Sequence, residues 1–145
     1  GPKPLIIPGA IVLSLVLWGL VFVQQDTPFW VLLIAHIVLS IGLALMFTPL
    51  FTVSLGSLPP QLYSHGSAMI GTTQQVAGAA GTALFVAIMT LRSASLAAGG
   101  ADILTATTSG IKTAFLCGAI ISLGAVVAAF FIRKPETSQA SGGHH

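Results

Sequence analysis

Amides, hydroxyls, an imidazole and aromatic rings are the side chains here with something to offer a ligand, and they recur at helical spacing in two stretches. Between Ser64 and Arg92, a helix turning about 100° per residue puts Ser67, Gly71, Gln74, Gly78, Thr82, Phe85 and Met89 within one face of roughly 80°. The opposite face carries Thr73, Val76, Ala80, Ala83 and Ala87. Upstream, His36, Ser40, Leu43, Phe47, Phe51 and Ser54 form a second stripe with the same period. No nucleophile, base and orienting acid occur together, no metal-ligand spacing appears, and the glycine-rich patches lack a phosphate-loop pattern. The chain is expected to be neither an enzyme nor the holder of a cofactor.

The elements that carry these stripes are set by composition. The chain has 145 residues, 54% of them hydrophobic and 6% charged. A soluble domain carries about 25% charged residues, so this is an integral membrane protein. Five Lys/Arg against three Asp/Glu are too few for a nucleic-acid surface. Cys117 stands alone, inside an apolar run, as a packing residue with no disulfide to make. Glycine inside a helix costs about 1 kcal/mol relative to alanine, so Gly71, Gly78 and Gly81 point to close helix contact within a membrane. Gln74 and Gln75 must face protein or a wet cavity, because an amide in hydrocarbon loses its water partners. A lone membrane histidine such as His36 is more often a hydrogen-bonded packing residue than a proton carrier.

Taken in order, Leu5 to Val23 is a first apolar span with Pro8 in its first turn. Gln24 to Pro28 is a polar turn flanked by the interfacial aromatics Trp18, Phe29 and Trp30. A second span runs from about Phe29 to Leu55, tilted or kinked near Pro49. Gly56 to His65, with Pro59 and Pro60, returns the chain to a membrane surface. A third span follows to about Leu91, and Arg92 to Ser109 reads as a loop rich in small residues. Ile111 to Ile132 is the fourth span, with Ala114, Gly118 and Ser122 as a packing seam. Residues 136–145 read as a disordered tail ending in what looks like a tag remnant, which removes His144 and His145 from any metal argument. Gly1 and Pro2 look like a protease scar or native sequence. Lys3, Arg133 and Lys134 on the terminal side, against Arg92 and Lys112 on the other, favour cytoplasmic termini. Asp26, Asp102 and Glu136 all lie outside the spans, so this chain carries no proton relay at membrane depth.

The run from Pro59 to Ala87, with Gly66-Ser67-Ala68, Thr72-Thr73-Gln74-Gln75 and the small residues Gly78 to Ala83, closely resembles the penultimate helix of fourteen-span drug:proton antiporters of the major facilitator superfamily. Gly1-Pro2-Lys3-Pro4 resembles the way those proteins re-enter the membrane after a cytoplasmic loop. The resemblance covers Gly1 to Pro135. Family members commonly carry Asn at the position of Gly71 and Arg at that of Gln74. It implies an all-α membrane fold in which 1–135 forms four helices of a C-terminal bundle, the second lining a cavity and the third lying at the seam between two six-helix bundles.

On that resemblance, the chain is expected to be part of a proton-driven exporter of hydrophobic, cationic compounds, working by alternating access in a bacterial inner membrane. Phe47, Phe51, Phe85 and Met89 would offer apolar and aromatic contact, and His36, Ser40, Gln74 and Gln75 adaptable hydrogen bonds. Gly71, Gly78 and Gly81 would line the bundle interface. The expected partners are membrane lipid, small molecules and the remaining helices, without nucleic acid. Two other readings stand beside it: a lipid exporter of the same fold, and a four-span assembly subunit that transports nothing.

Overall fold

The computed structural model describes residues 3–132 and folds them into helices joined by short turns. α1 spans Lys3–Leu20, α2 Phe29–Gly56, α3 Tyr63–Ala98 and α4 Ile103–Phe131, with one 3₁₀ turn at Pro60–Leu62 between α2 and α3. All four long helices have the length and hydropathy to cross a membrane. At 1.5 Å per residue, α3 is about 54 Å long, well beyond the ~30 Å of a hydrocarbon core.

The helices pack in the spatial order α2, α1, α4, α3. α1 is the bridge between α2 and α4, and α3 leans on α4. α2 and α3 hardly touch except near their link, where Gly66 sits against Leu58 and Leu55. The buried residues are small: Ala10, Ala106, Ala114, Ala119 and Ala129, with Ile6 the one large side chain fully enclosed among the described residues. Large apolar side chains such as Leu15, Ile41, Ile121 and Val127 lie outside. Such a distribution is unsuited to water and suited to lipid, where helices gain by close approach of backbones rather than by hiding leucines.

The tightest approaches fall on glycines that periodicity alone does not single out. At the crossing of α1 and α2, a Cβ on Gly9 would lie 2.9 Å from the Gly42 carbonyl oxygen, and a Cβ on Gly42 would lie 3.2 Å from that of Gly9. Between α3 and α4, a Cβ on Gly110 would lie 2.5 Å from the Met89 carbonyl oxygen. Gly71, Gly78 and Gly81 have open space above them within these four helices. The expected seam on α4 is present at Ala114 and Ser122, both buried, while Gly118 meets nothing within 4 Å.

α1 and α4 run antiparallel and are fastened along their length. The Lys3 ammonium donates to the Phe130 carbonyl at 2.8 Å, satisfying an orphan acceptor at the end of α4. Midway, Ser122 and Ser14, each only 5% exposed, share a hydroxyl hydrogen bond of 2.9 Å, and Ser122 also lies 2.6 Å from the Ala119 carbonyl. At the far end the Gln25 amide reaches the Thr105 hydroxyl at 3.4 Å.

Several boundaries differ from those read off the sequence, each for a local reason. α1 begins at Lys3 and ends at Leu20, so Pro8 falls inside the helix, one residue before the glycine crossing. α2 runs unbroken through a buried Pro49. The largest difference is the stretch expected as a loop, Arg92 to Ser109: only Gly99 to Asp102 is non-helical. Ser93 and Thr113 turn their hydroxyls back onto the Met89 and Ser109 carbonyls, which lets hydroxyl residues sit inside helices. Gly100, at φ +89°, ends α3, and the Asp102 side chain caps α4 by accepting from the Thr105 amide at 3.0 Å. The expected tail at 136–145 and the charges Arg133, Lys134 and Glu136 lie outside the described residues.

The glycine crossing and the α4 cap can each be tested. Gly9→Ala should destabilise the helix assembly by about 1 to 3 kcal/mol through overpacking, whereas Gly19→Ala, with nothing within 4 Å, should be neutral or slightly stabilising; thermal unfolding in detergent compares them. Hydrogen bonds from the Thr105 hydroxyl and then its amide hold the Asp102 carboxyl below its ordinary pKa. The cap is therefore at full strength above the ordinary carboxylate value and is lost as pH falls through the lowered one, so amide exchange at Thr105, corrected for intrinsic rate, should accelerate below about pH 4 and become pH-insensitive in Asp102→Ala.

Candidate functional site

Because α1 and α4 hold the middle, α2 and α3 flank the assembly with a gap between them. A cleft of about 540 Å³ opens there, lined by Phe47, Thr48, Phe51 and Thr52 from α2 and by Gln74 from α3. The α2 residues come together because positions 47, 48, 51 and 52 share one face at i, i+4 spacing, turned away from α1. Phe47 is 44% exposed and Phe51 half-buried. The Thr52 hydroxyl donates to the Thr48 carbonyl at 3.0 Å, so toward the cleft it is an acceptor. Two aromatic rings, two hydroxyl residues and one amide make a surface with apolar area and few, adaptable polar contacts.

The other expected residues are placed around this cleft rather than in it. His36 and Ser40 are exposed on the same free side of α2, closer to its start, and the Ser40 hydroxyl donates to the His36 carbonyl at 2.9 Å. Gln75 is exposed on α3, about 100° around the helix from Gln74. Phe85 lies against α4, where its ring meets Phe115 edge to face with centroids 5.1 Å apart and planes at 73°. Such a pair adds about 0.5 to 1.5 kcal/mol beyond its burial, and here it holds α3 to α4. Met89 is half-buried beside the Gly110 crossing. Helical spacing alone puts Gln74 and Phe85 on one face; the divergence of α3 from α4 gives them different neighbours.

Thr48 and Thr52 join the cleft without belonging to the expected stripe. Their signal in the sequence is a pair of hydroxyls four apart, one turn around Pro49 and adjoining the phenylalanines. Along α3, the residues from Thr72 to Leu84 are all exposed within these helices, including Thr72, Thr73, Gln74, Gln75 and Thr82. Among the described residues no group of three His, Cys, Asp or Glu is placed to hold a metal ion.

Four membrane-length helices with small residues inside and large apolar ones outside define a multi-pass α-helical membrane protein. Similarity to known proteins carries this further. The chain is 35% identical over 141 residues to the lincomycin resistance protein LmrB of Listeria innocua, covering 94% of this chain and 30% of that protein. It is 34% identical over 140 residues to LmrB of Bacillus subtilis, with 92% and 29% covered. It is 30% identical over 136 residues to the MFS-type transporter YcnB of Bacillus subtilis, with 94% and 28% covered. The chain is thus a homologue of major facilitator-type transporters, matching a C-terminal part of them. It spans about a third or less of the length of these relatives. They are transporters and not enzymes. No family model and no solved structure matches the chain.

Phe85→Leu should loosen the α3–α4 hairpin by about 0.5 to 1.5 kcal/mol while leaving the α2–α3 cleft intact. A double-mutant cycle with Phe115→Leu, read by unfolding in detergent, should recover a coupling of that size.

Proposed function

We propose that this chain forms four C-terminal spans of a drug efflux transporter and that the α2–α3 cleft is part of the path its substrate takes. The observation that carries the reading is the meeting of Phe47, Phe51 and Gln74 in one cleft of substrate size. Flat, hydrophobic and cationic compounds suit it, because a cation over an aromatic face gains about 0.5 to 2 kcal/mol and the amide accepts or donates as the ligand requires. The drug-resistance names of the matched relatives support export of antibiotics as the class of activity.

His36, Ser40 and Gln75 extend the polar face of that path, and Phe85 and Met89, packed against α4, brace the helix that carries Gln74. Gly71, Gly78 and Gly81, open within these helices, are where a neighbouring bundle approaches α3. A proton gradient drives the exchange, with the titrating acids in the rest of the protein, since Asp26 and Asp102 stand in turns. The membrane is the bacterial inner membrane with cytoplasmic termini. The reading as a non-transporting subunit loses ground because its matched relatives are transporters.

Transport of a fluorescent cation in everted vesicles tests the proposal. Phe51→Ala and Phe47→Ala should each raise the half-saturating dye concentration by about two- to thirtyfold, the range a lost cation–π contact gives. Gly78→Leu should abolish transport while leaving membrane expression intact. Unchanged dye kinetics in both phenylalanine variants would overturn the cleft assignment, and competition by phospholipid rather than by cationic drugs would turn the reading toward lipid export.

A further inference from the structure

A second cleft lies between the end of α1 with its turn and the first part of α4, and shares no lining residue with the substrate path. It encloses about 310 Å³ and is lined by Val21 and Gln25 from the end of α1 and its turn, and by Thr105, Thr108, Ser109, Lys112, Thr113 and Leu116 from α4. We propose that it is a binding site for the phosphate headgroup of an anionic phospholipid, with Lys112 as the charge that selects it. The proposal is independent of what the protein transports.

Depth is the first argument. The uncharged run from Ala114 to Phe131 rises about 27 Å, close to the thickness of the hydrocarbon core, so Lys112 stands at its boundary. Lys112 and Val21 line the same cleft, and beside Val21 the exposed Phe22, Phe29 and Trp30 mark the interface from the α1–α2 turn. An ammonium at that level meets lipid phosphates.

Polarity is the second. One turn deeper than Lys112 the wall is Leu116, and one turn shallower it is Thr108 and Ser109. The cleft therefore passes from hydroxyl donors through a cation to apolar side chain in the direction a phospholipid passes from headgroup to acyl chain. A free phosphate would use the upper part and leave the apolar end unfilled. The Thr113 hydroxyl donates to the Ser109 carbonyl and the Thr105 hydroxyl to the Asp102 carboxylate, so Thr108, Ser109 and Lys112 are the donors left for the phosphate. The nearest carboxylate on α4, Asp102, is about 15 Å along the helix from Lys112 and is engaged in the cap.

Native mass spectrometry of the whole protein, taken from nanodiscs holding equal phosphatidylglycerol and phosphatidylcholine, tests this. The protein should retain phosphatidylglycerol about fivefold over phosphatidylcholine, the preference one interfacial lysine supplies. Lys112→Gln should remove that preference, and Lys112→Arg and Arg92→Gln should keep it. Equal retention of the two lipids, or an undiminished preference in Lys112→Gln, overturns the proposal. Release of phosphatidylglycerol by millimolar inorganic phosphate as readily as by added phosphatidylglycerol also overturns it, assigning the cleft to a free anion. Should Lys112→Gln fail to accumulate, amine acetylation of the unmutated protein decides the same question: phosphatidylglycerol vesicles should slow labelling of Lys112 about fivefold relative to phosphatidylcholine vesicles, and equal rates contradict the site.

Discussion

Helices in lipid gain nothing from hiding leucine against leucine, because the surrounding tails are as apolar as the side chains. What holds this assembly is close approach of backbones where side chains vanish. Gly9 and Gly42 let α1 and α2 cross almost in contact, Gly110 lets α4 press on the Met89 carbonyl, and the alanines at 10, 114, 119 and 129 fill the rest of the interior. The Ser14–Ser122 hydroxyl pair and the Lys3 cap on Phe130 add polar ties that suit a medium without water. Most large apolar side chains are thereby released to the outside.

That constraint decides where function can sit. α1 and α4 use their small residues on each other and on one neighbour each, so they form a scaffold. α2 and α3 are each held along one side only, and their remaining surface carries the amides, hydroxyls and aromatic rings. Gln74 and Gln75 in the middle of α3 are unsuited to lipid, so the surface they occupy has to be covered by protein or filled with water. The cleft with Phe47 and Phe51 is the place within these helices where such a surface already faces a partner.

Much of this is legible in the sequence, and what is not has specific causes. The apolar runs mark the spans because hydrocarbon thickness dictates their length, and the stripe through Phe47 and Phe51 marks the free face of α2 because the period of a helix is fixed. The resemblance carried by Thr72 to Ala83 agrees with the transporters the chain matches. Arg92 to Ser109 reads as a loop because serines and threonines look like turn residues until their hydroxyls fold back on the helix, and because Asp102 shows itself as a cap only through its bond to Thr105, three residues on. The contact glycines cannot be chosen by period, since Gly9 and Gly42 sit in different helices and only their crossing brings them together. Phe85 shares a face with Gln74 but not a neighbour, which is a matter of helix divergence and invisible to a helical wheel.

The central claim is that α2 and α3 stand apart, with one side of α3 wet and the rest covered. A cysteine scan from Thr72 to Thr82, in a background of the whole protein freed of its native cysteines including Cys117, measures it most directly through labelling by a membrane-impermeant thiol reagent. Labelling should vary with a three- to four-residue period and peak at Gln74, with Val76 and Ala80 protected. Uniform labelling around the helix, or none at Gln74, would contradict it.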